Sequence, residues 1–277
     1  MFNKLFKNSD ILKKIIFINI LVFIFIKLIK IFISPIYHEQ IINVLAISSN
    51  FEELSKSPWK IVSYMFIHHD IFHLTTNLIL LYFFGSIYIN YLSEKKFLST
   101  YLLGGVVGAL FFILAFNFFS EFEEIKNKSI AIGGSASVLG IIFSISGHIP
   151  NYKPQIYLIG RIKLKYLALI ILFMDILNIP SGNIGGHIAH IGGAFYGYLS
   201  IKLLNKYKIN TSAPIEKIFD FVKKNKIQNH KKSESDYDYN ARKKREQEKI
   251  DKILDKINSS GYDSLSDEDK RTLSNDH

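Results

Sequence analysis

The chain contains no cysteine. Disulfides, thiolate catalysis and cysteine-ligated zinc are therefore excluded. It also lacks the layout of a soluble domain, in which apolar residues come in short periodic pieces. Here they come in runs of about 17–22 residues, long enough to cross ~30 Å of hydrocarbon. The first run has no small-residue cleavage site and is too long for a signal peptide, so it reads as a membrane span. No paired network of intramembrane charges is present, which argues against a transporter or channel.

What is there is apolar and basic: 48% hydrophobic residues, 14% aromatic, and a formal charge of +10. Most of the surplus charge sits beside apolar runs and near the C-terminus, where it sets topology, so nucleic acid is not the expected partner. Spans are expected at about 15–33, 64–91, 97–119, 134–150, 164–180 and 187–205, separated by short breaks with turn or charge signals. The longest break, Ser34 to Ser63, alternates apolar and polar residues and reads as interfacial helical pieces. Lys4, Lys7, Lys13, Lys14, Lys95, Lys96, Lys153, Arg161, Lys163 and Lys165 fall on one side. Only Lys56, Lys60, Lys126 and Lys128 fall on the other, while Lys27 and Lys30 are expected to snorkel. Both termini are thus expected in the cytoplasm.

The composition changes at Lys206, so 1–206 is expected to be the membrane domain and 207–277 a basic linker with a small helical tail. Basic residues through Lys231-Lys232 fit a linker held near anionic lipid. Ile250, Ile253, Leu254 and Ile257 mark an amphipathic helix, Gly261 its terminator, and Ser266 with Asp269 a capping box. The tail carries no catalytic constellation; it is expected to dock a partner protein.

Polar residues inside hydrocarbon are costly, so their positions are informative. Three clusters stand out: His68 to Asn77, Gly133 to Gly140, and Ala189 to Gly193. At ~1.5 Å per residue, Ser135, His190 and Asn77 each lie roughly 18–24 Å from the inner boundary. Three polar groups on different helices share one depth. Ser137, Gly140 and Ser144 on one helix and Gly193 to Gly197 on another offer small faces for close packing.

These residues resemble the rhomboid family of intramembrane serine proteases over roughly 59–200. The family's GxSx motif corresponds to Gly133-Gly134-Ser135-Ala136, its AHxGG motif to Ala189 through Gly193, and its HxxxxHxxxN pattern to His68, His73 and Asn77. The resemblance implies an all-α six-span bundle with Ser135 as nucleophile and His190 as base. It gives His73 and Asn77 oxyanion-stabilising roles and His68, Gly133, Gly134, Gly193 and Gly197 supporting ones. It further implies membrane-protein substrates cut near the outer end of a transmembrane helix, with no metal or cofactor. This chain departs from common family choices at Ala136 (often Gly), at Leu139 (often an aromatic that stacks on the histidine) and at Trp59-Lys60 (often Trp-Arg). These changes bear on rate and specificity, since none removes a reacting group.

Rival readings start from the same residues. His69/His73 and His187/His190 have metal-ligand spacing. Membrane di-iron enzymes, however, need about eight such ligands, and of nine histidines His38, His148, His230 and His277 lie outside the clusters. A catalytically silent relative that binds membrane proteins is the other rival, although both Ser135 and His190 are retained. The GxSxG elbow of α/β-hydrolases fails at Ser137. Ser137 lies about 200° around a helix from Ser135, so both cannot face His190. Asp175 is read as facing a water-filled cleft or pairing locally, with orientation of His190 the alternative, and His187 as a loop-end residue. The Ile/Lys/Asn-rich composition points to a bacterial inner membrane.

Overall fold

Backbone groups in hydrocarbon must satisfy their own hydrogen bonds, so the long apolar runs fold as helices. In this computed structural model, the described residues are 10–156, 160–179, 182–219, 236–261, 264–266 and 268–270. Lys4, Lys7 and the Lys231-Lys232 stretch lie outside them.

The first helix, α1 (Asp10–Phe32), begins five residues earlier than expected. It is followed by α2 (Pro35–Leu45), whose Ser34 cap accepts from the Ile36 N–H at 3.1 Å. Next come a two-residue strand β1 (Ile47–Ser48), the short helices α3 (Phe51–Lys56) and α4 (Lys60–Ser63), and α5 (Ile71–Tyr91). The helix α6 (Glu94–Phe118) leads to the strand β2 (Ile130–Ala131) and to α7 (Ser135–His148). A hairpin of β3 (Gln155–Ile156) and β4 (Gly160–Arg161) precedes α8 (Leu164–Leu177) and α9 (Ile184–Tyr207). The last described long helix is α10 (Asp236–Ser260).

Among the described residues, three helical segments are long and apolar enough to cross a membrane: Ile11–Phe32, Ile71–Tyr91 and Glu94–Phe118. The expected second span, from residue 64, is shorter at its start. Tyr64–Phe66 forms a separate 3-10 turn, and Asp70 restarts the helix by accepting from the His73 N–H at 2.8 Å. α7 and α8 have 14 residues each, about 21 Å of helix.

Beyond helices, the long first break folds onto the body through backbone pairing. Ile47 pairs with Ala131 and Ser48 with Ile130, antiparallel. The Asn117 amide donates to the Ser49 carbonyl at 2.7 Å, fixing the same loop to the end of α6. Lys27 donates to the His69 carbonyl at 2.8 Å, which ties α1 to the loop that opens α5. The Trp59 indole donates to the Val44 carbonyl at 2.9 Å.

Lys60 is buried and ion-paired with Glu53, whose side chain is 46% exposed. The ammonium's hydrogen bond to Glu53 holds that carboxyl below the usual carboxylate range. Removing the acid strands a buried cation, whereas removing the cation leaves a half-hydrated acid. Glu53→Ala is therefore expected to destabilise by about 1–3 kcal/mol, more than Lys60→Met, which keeps the aliphatic stem. Thermal unfolding in detergent measures the order; the reverse order would show that the stem, and not the charge, matters there.

α7 is the central element, packed most extensively against α9 and then α6, with α5 and α8 on its other sides. Small residues set those separations. Gly104 lies against the Gly140 backbone, while Gly193 and Gly197 lie against the backbones of Ala136 and Gly140. Lipid supplies no hydrophobic drive between helices, so close backbone approach takes its place.

The chain divides into two units, Met1–Lys217 and Ile218–His277. In the second, Gly261 has φ +80° and its N–H donates to the Ile257 carbonyl, ending α10 in the left-handed conformation glycine favours. Ser266 and Asp269 bond reciprocally at 3.2 and 3.3 Å as a capping box. Ile253 is buried but Leu254 is exposed, so the apolar face is narrower than the four residues expected.

Candidate active site

Two glycines open the site. The Gly133 N–H donates to the Tyr64 carbonyl at 2.9 Å, and Gly133 takes φ +122°, a conformation that side chains rarely adopt. A Cβ there would come within 2.8 Å of the His73 ring. At Gly134, the N-cap of α7, a Cβ would lie 2.8 Å from the Met65 carbonyl. The chain can turn into α7 so close to its neighbours only without side chains.

Ser135 is then the first residue of α7, partly buried. Its Oγ hydrogen-bonds His190 Nε2, which belongs to α9. Both line a cavity of about 260 Å³ with His73, Asn77, Leu139 and Asp175. Larger grooves, about 980 and 700 Å³, lie on the outer faces of helices and are almost wholly apolar. They hold no cluster of reacting groups.

His73 and Asn77 share a face of α5, one turn apart, and the Asn77 amide donates to the His73 carbonyl at 3.1 Å. That uses one of its two N–H groups. His68 lies in the loop ahead of α5, buried, with its ring edge-on to His73 at 5.1 Å. Burial, and secondarily His73, pushes its pKa down to about 4, so it is neutral at ordinary pH. Both of its ring nitrogens are buried.

Ser137 turns away from this cavity. Its hydroxyl is fully buried against Gly105 and makes no hydrogen bond among the described residues. His69 is exposed and pairs with Asp70 at 3.2 Å, away from the α9 histidines.

Of the readings given to Asp175, the structure places it against His190. Asp175 Oδ1 accepts from His190 Nδ1 at 2.7 Å and from His187 Nδ1 at 2.9 Å. His187 is not a loop-end residue but lies in the first turn of α9, buried. The sequence signals were present: a lone acid in an apolar stretch, and two histidines at i,i+3 on one helix face. What sequence lacks is the rotation of α8 that aims the acid inward. Asp175, His187 and His190 are also the one group among the described residues with ligand atoms close enough to hold a metal ion.

A helical body with membrane-length segments, a serine–histidine contact in a cavity and glycine-mediated helix packing together define a class of polytopic membrane protein. A family model described as the rhomboid domain matches residues 55–207, more than half of the chain, and the chain belongs to the rhomboid family. Residues 234–275 match a family of unknown function (DUF6576). The chain is similar to the human presenilin-associated rhomboid-like protein, mitochondrial, at 23% identity, over 58% of this chain and 41% of that protein. It is similar to RHOMBOID-like protein 12, mitochondrial, of Arabidopsis thaliana at 28%, covering 48% and 43% of the two chains. Rhomboid-like protease 3 of Toxoplasma gondii is 24% identical over 53% of this chain and 52% of its own. Each match spans about half of the relative or less. Membrane residence stands, but relatives named as mitochondrial remove the support that composition lent to a bacterial inner membrane.

Proposed function

We propose that the chain is an intramembrane serine endopeptidase that cleaves transmembrane-helix substrates near their outer ends. The observation that carries this reading is the hydrogen bond between Ser135 Oγ and His190 Nε2 inside a cavity shared with His73 and Asn77. A serine hydroxyl is a weak nucleophile until a base accepts its proton, and histidine titrates in the right range.

In the proposed reaction Ser135 attacks a peptide carbonyl and His190 Nε2 takes the hydroxyl proton. The negative oxygen then develops beside the N-terminus of α7, where the Ser135 N–H and the positive helix end favour it. The His73 ring and the remaining Asn77 N–H supply further donors. His190 returns the proton to the leaving amine, and water hydrolyses the acyl-enzyme by the same route. A substrate helix must unwind to present that carbonyl, since an intact helix bonds and shields it.

In this reading α1, α5, α6, α7, α8 and α9 are six spans, with both termini on the lysine-rich, cytoplasmic side. The two short ones, α7 and α8, suit a site sunk below the outer surface, because water and loops fill the depth that helix does not.

Purified protein with a model transmembrane substrate tests the proposal. Wild type is expected to cleave, Ser137→Ala to cleave like wild type, and Ser135→Ala to be silent. Full activity in excess chelator is expected as well; its loss there would favour a metal held by Asp175, His187 and His190. Cleavage by Ser135→Ala at the wild-type rate would sink the protease reading and favour a protein that binds membrane helices without cutting them.

A further inference from the structure

We infer that Asp175 is a positioning residue that holds His190 in the one neutral tautomer able to take a proton from Ser135, with His187 as the second clamp on its carboxylate. This rests on the serine-protease reading above.

One carboxylate oxygen meets both histidines. Asp175 Oδ1 lies 2.7 Å from His190 Nδ1 and 2.9 Å from His187 Nδ1. An ionised carboxylate only accepts, so each Nδ1 carries a proton. For neutral His190 that leaves Nε2 bare, and Nε2 is the atom that meets the Ser135 hydroxyl. The opposite tautomer sets a lone pair against the carboxylate and leaves no base toward the serine. It loses one hydrogen bond and faces one repulsion.

Geometry makes this contact more than an incidental pair. The side chains of Asp175, His187 and His190 are only 15%, 11% and 15% exposed. Shielded charge-assisted bonds are shorter and stronger than exposed ones, which contribute little. The acid comes from α8 and both histidines from α9, so the carboxylate bridges two helices. Leu139 is on the cavity wall and has no ring to stack on His190, which leaves orientation to the carboxylate.

His187 has its own part. Asp175 Oδ2 is buried with no hydrogen-bond partner among the described residues. The two imidazoles are therefore the groups that set the rotation of the carboxylate, and His187 keeps it aimed when His190 moves during proton transfer. As His190 becomes an imidazolium, the Asp175 charge offsets the new positive charge.

The test uses the full chain in detergent or bilayers. Asp175→Asn is expected to lower kcat about 10²–10⁴-fold, with KM within about twofold of wild type and the melting transition lowered by only a few degrees, since the isosteric amide still bridges the two helices. His187→Asn is expected to lower kcat less, about tenfold. A kcat for Asp175→Asn within about twofold of wild type overturns the inference, as does a loss that appears equally in kcat and melting temperature. Nitrogen-15 spectra of labelled histidine provide the second measurement. They are expected to show His190 wholly in the Nδ1–H form in wild type and in a mixture of both tautomers in Asp175→Asn. The same mixture in both proteins overturns the inference. Because this spectrum needs no substrate, it judges Asp175 separately from the protease reading, whose own failure is cleavage by Ser135→Ala.

Discussion

Ser135→Ala and His190→Ala are each expected to lower turnover of a transmembrane-helix substrate by about 10⁴–10⁶-fold, and the double variant to lose no more than either single. The reason is that both side chains act on one proton. Without the hydroxyl there is nothing for Nε2 to activate; without the imidazole the hydroxyl keeps its proton and stays a poor nucleophile. Removing the second member of such a unit removes nothing that still works. KM is expected to hold within about twofold, because a substrate helix binds through surfaces that neither change touches. Ser135→Ala gives up one hydrogen bond, about 1 kcal/mol, so its melting midpoint should stay close to wild type, whereas His190→Ala also loses the bond to Asp175 and should melt lower. Turnover in reconstituted bilayers measures the cycle. Losses that multiply in the double variant would mean the two groups serve separate steps, and the shared-proton mechanism would be wrong.

Gly193→Ala is expected to lower kcat about 100-fold, and Gly197→Ala to destabilise the bundle by about 1–3 kcal/mol. A Cβ at Gly193 runs into the Ala136 carbonyl, and one at Gly197 into the Gly140 carbonyl. Both obstacles are backbone, which cannot turn aside as a flexible side chain can, so α9 must shift as a body away from α7. His190 lies one turn before Gly193 on that helix, and a displacement near 1 Å is enough to spoil a serine–histidine contact. Gly147→Ala is the control. Its Cβ would meet the Ile201 side chain at 2.7 Å, a group that can rotate, so a loss under about 1 kcal/mol is expected. Thermal unfolding and steady-state turnover on the three variants read both effects. Equal mild losses would show that α7 and α9 can separate without cost to the site.

Local features carried much of the candidate site in the sequence. Gly133-Gly134-Ser135 reads as a turn into a helix on local grounds, because the positive φ at Gly133 favours glycine. His73 and Asn77 fall on one face through helical spacing alone. The tail's capping box is equally local. Other features depended on partners far along the chain. Pairing of Ile47 with Ala131 joins segments that carry no strand pattern of their own. The Lys60–Glu53 pair lies in a segment that reads simply as amphipathic.

By itself, then, the sequence determined that this is a helical membrane protein with polar clusters in its apolar segments and small-residue faces for close packing, because hydropathy, turn chemistry and helical period are properties of neighbouring residues. Only the tertiary structure decided where α5 truly begins, how short α7 and α8 are, and that Asp175 reaches both histidines. Those outcomes depend on the rotation and tilt of one helix against another, set by packing among residues distant in sequence, and no window along the chain contains them.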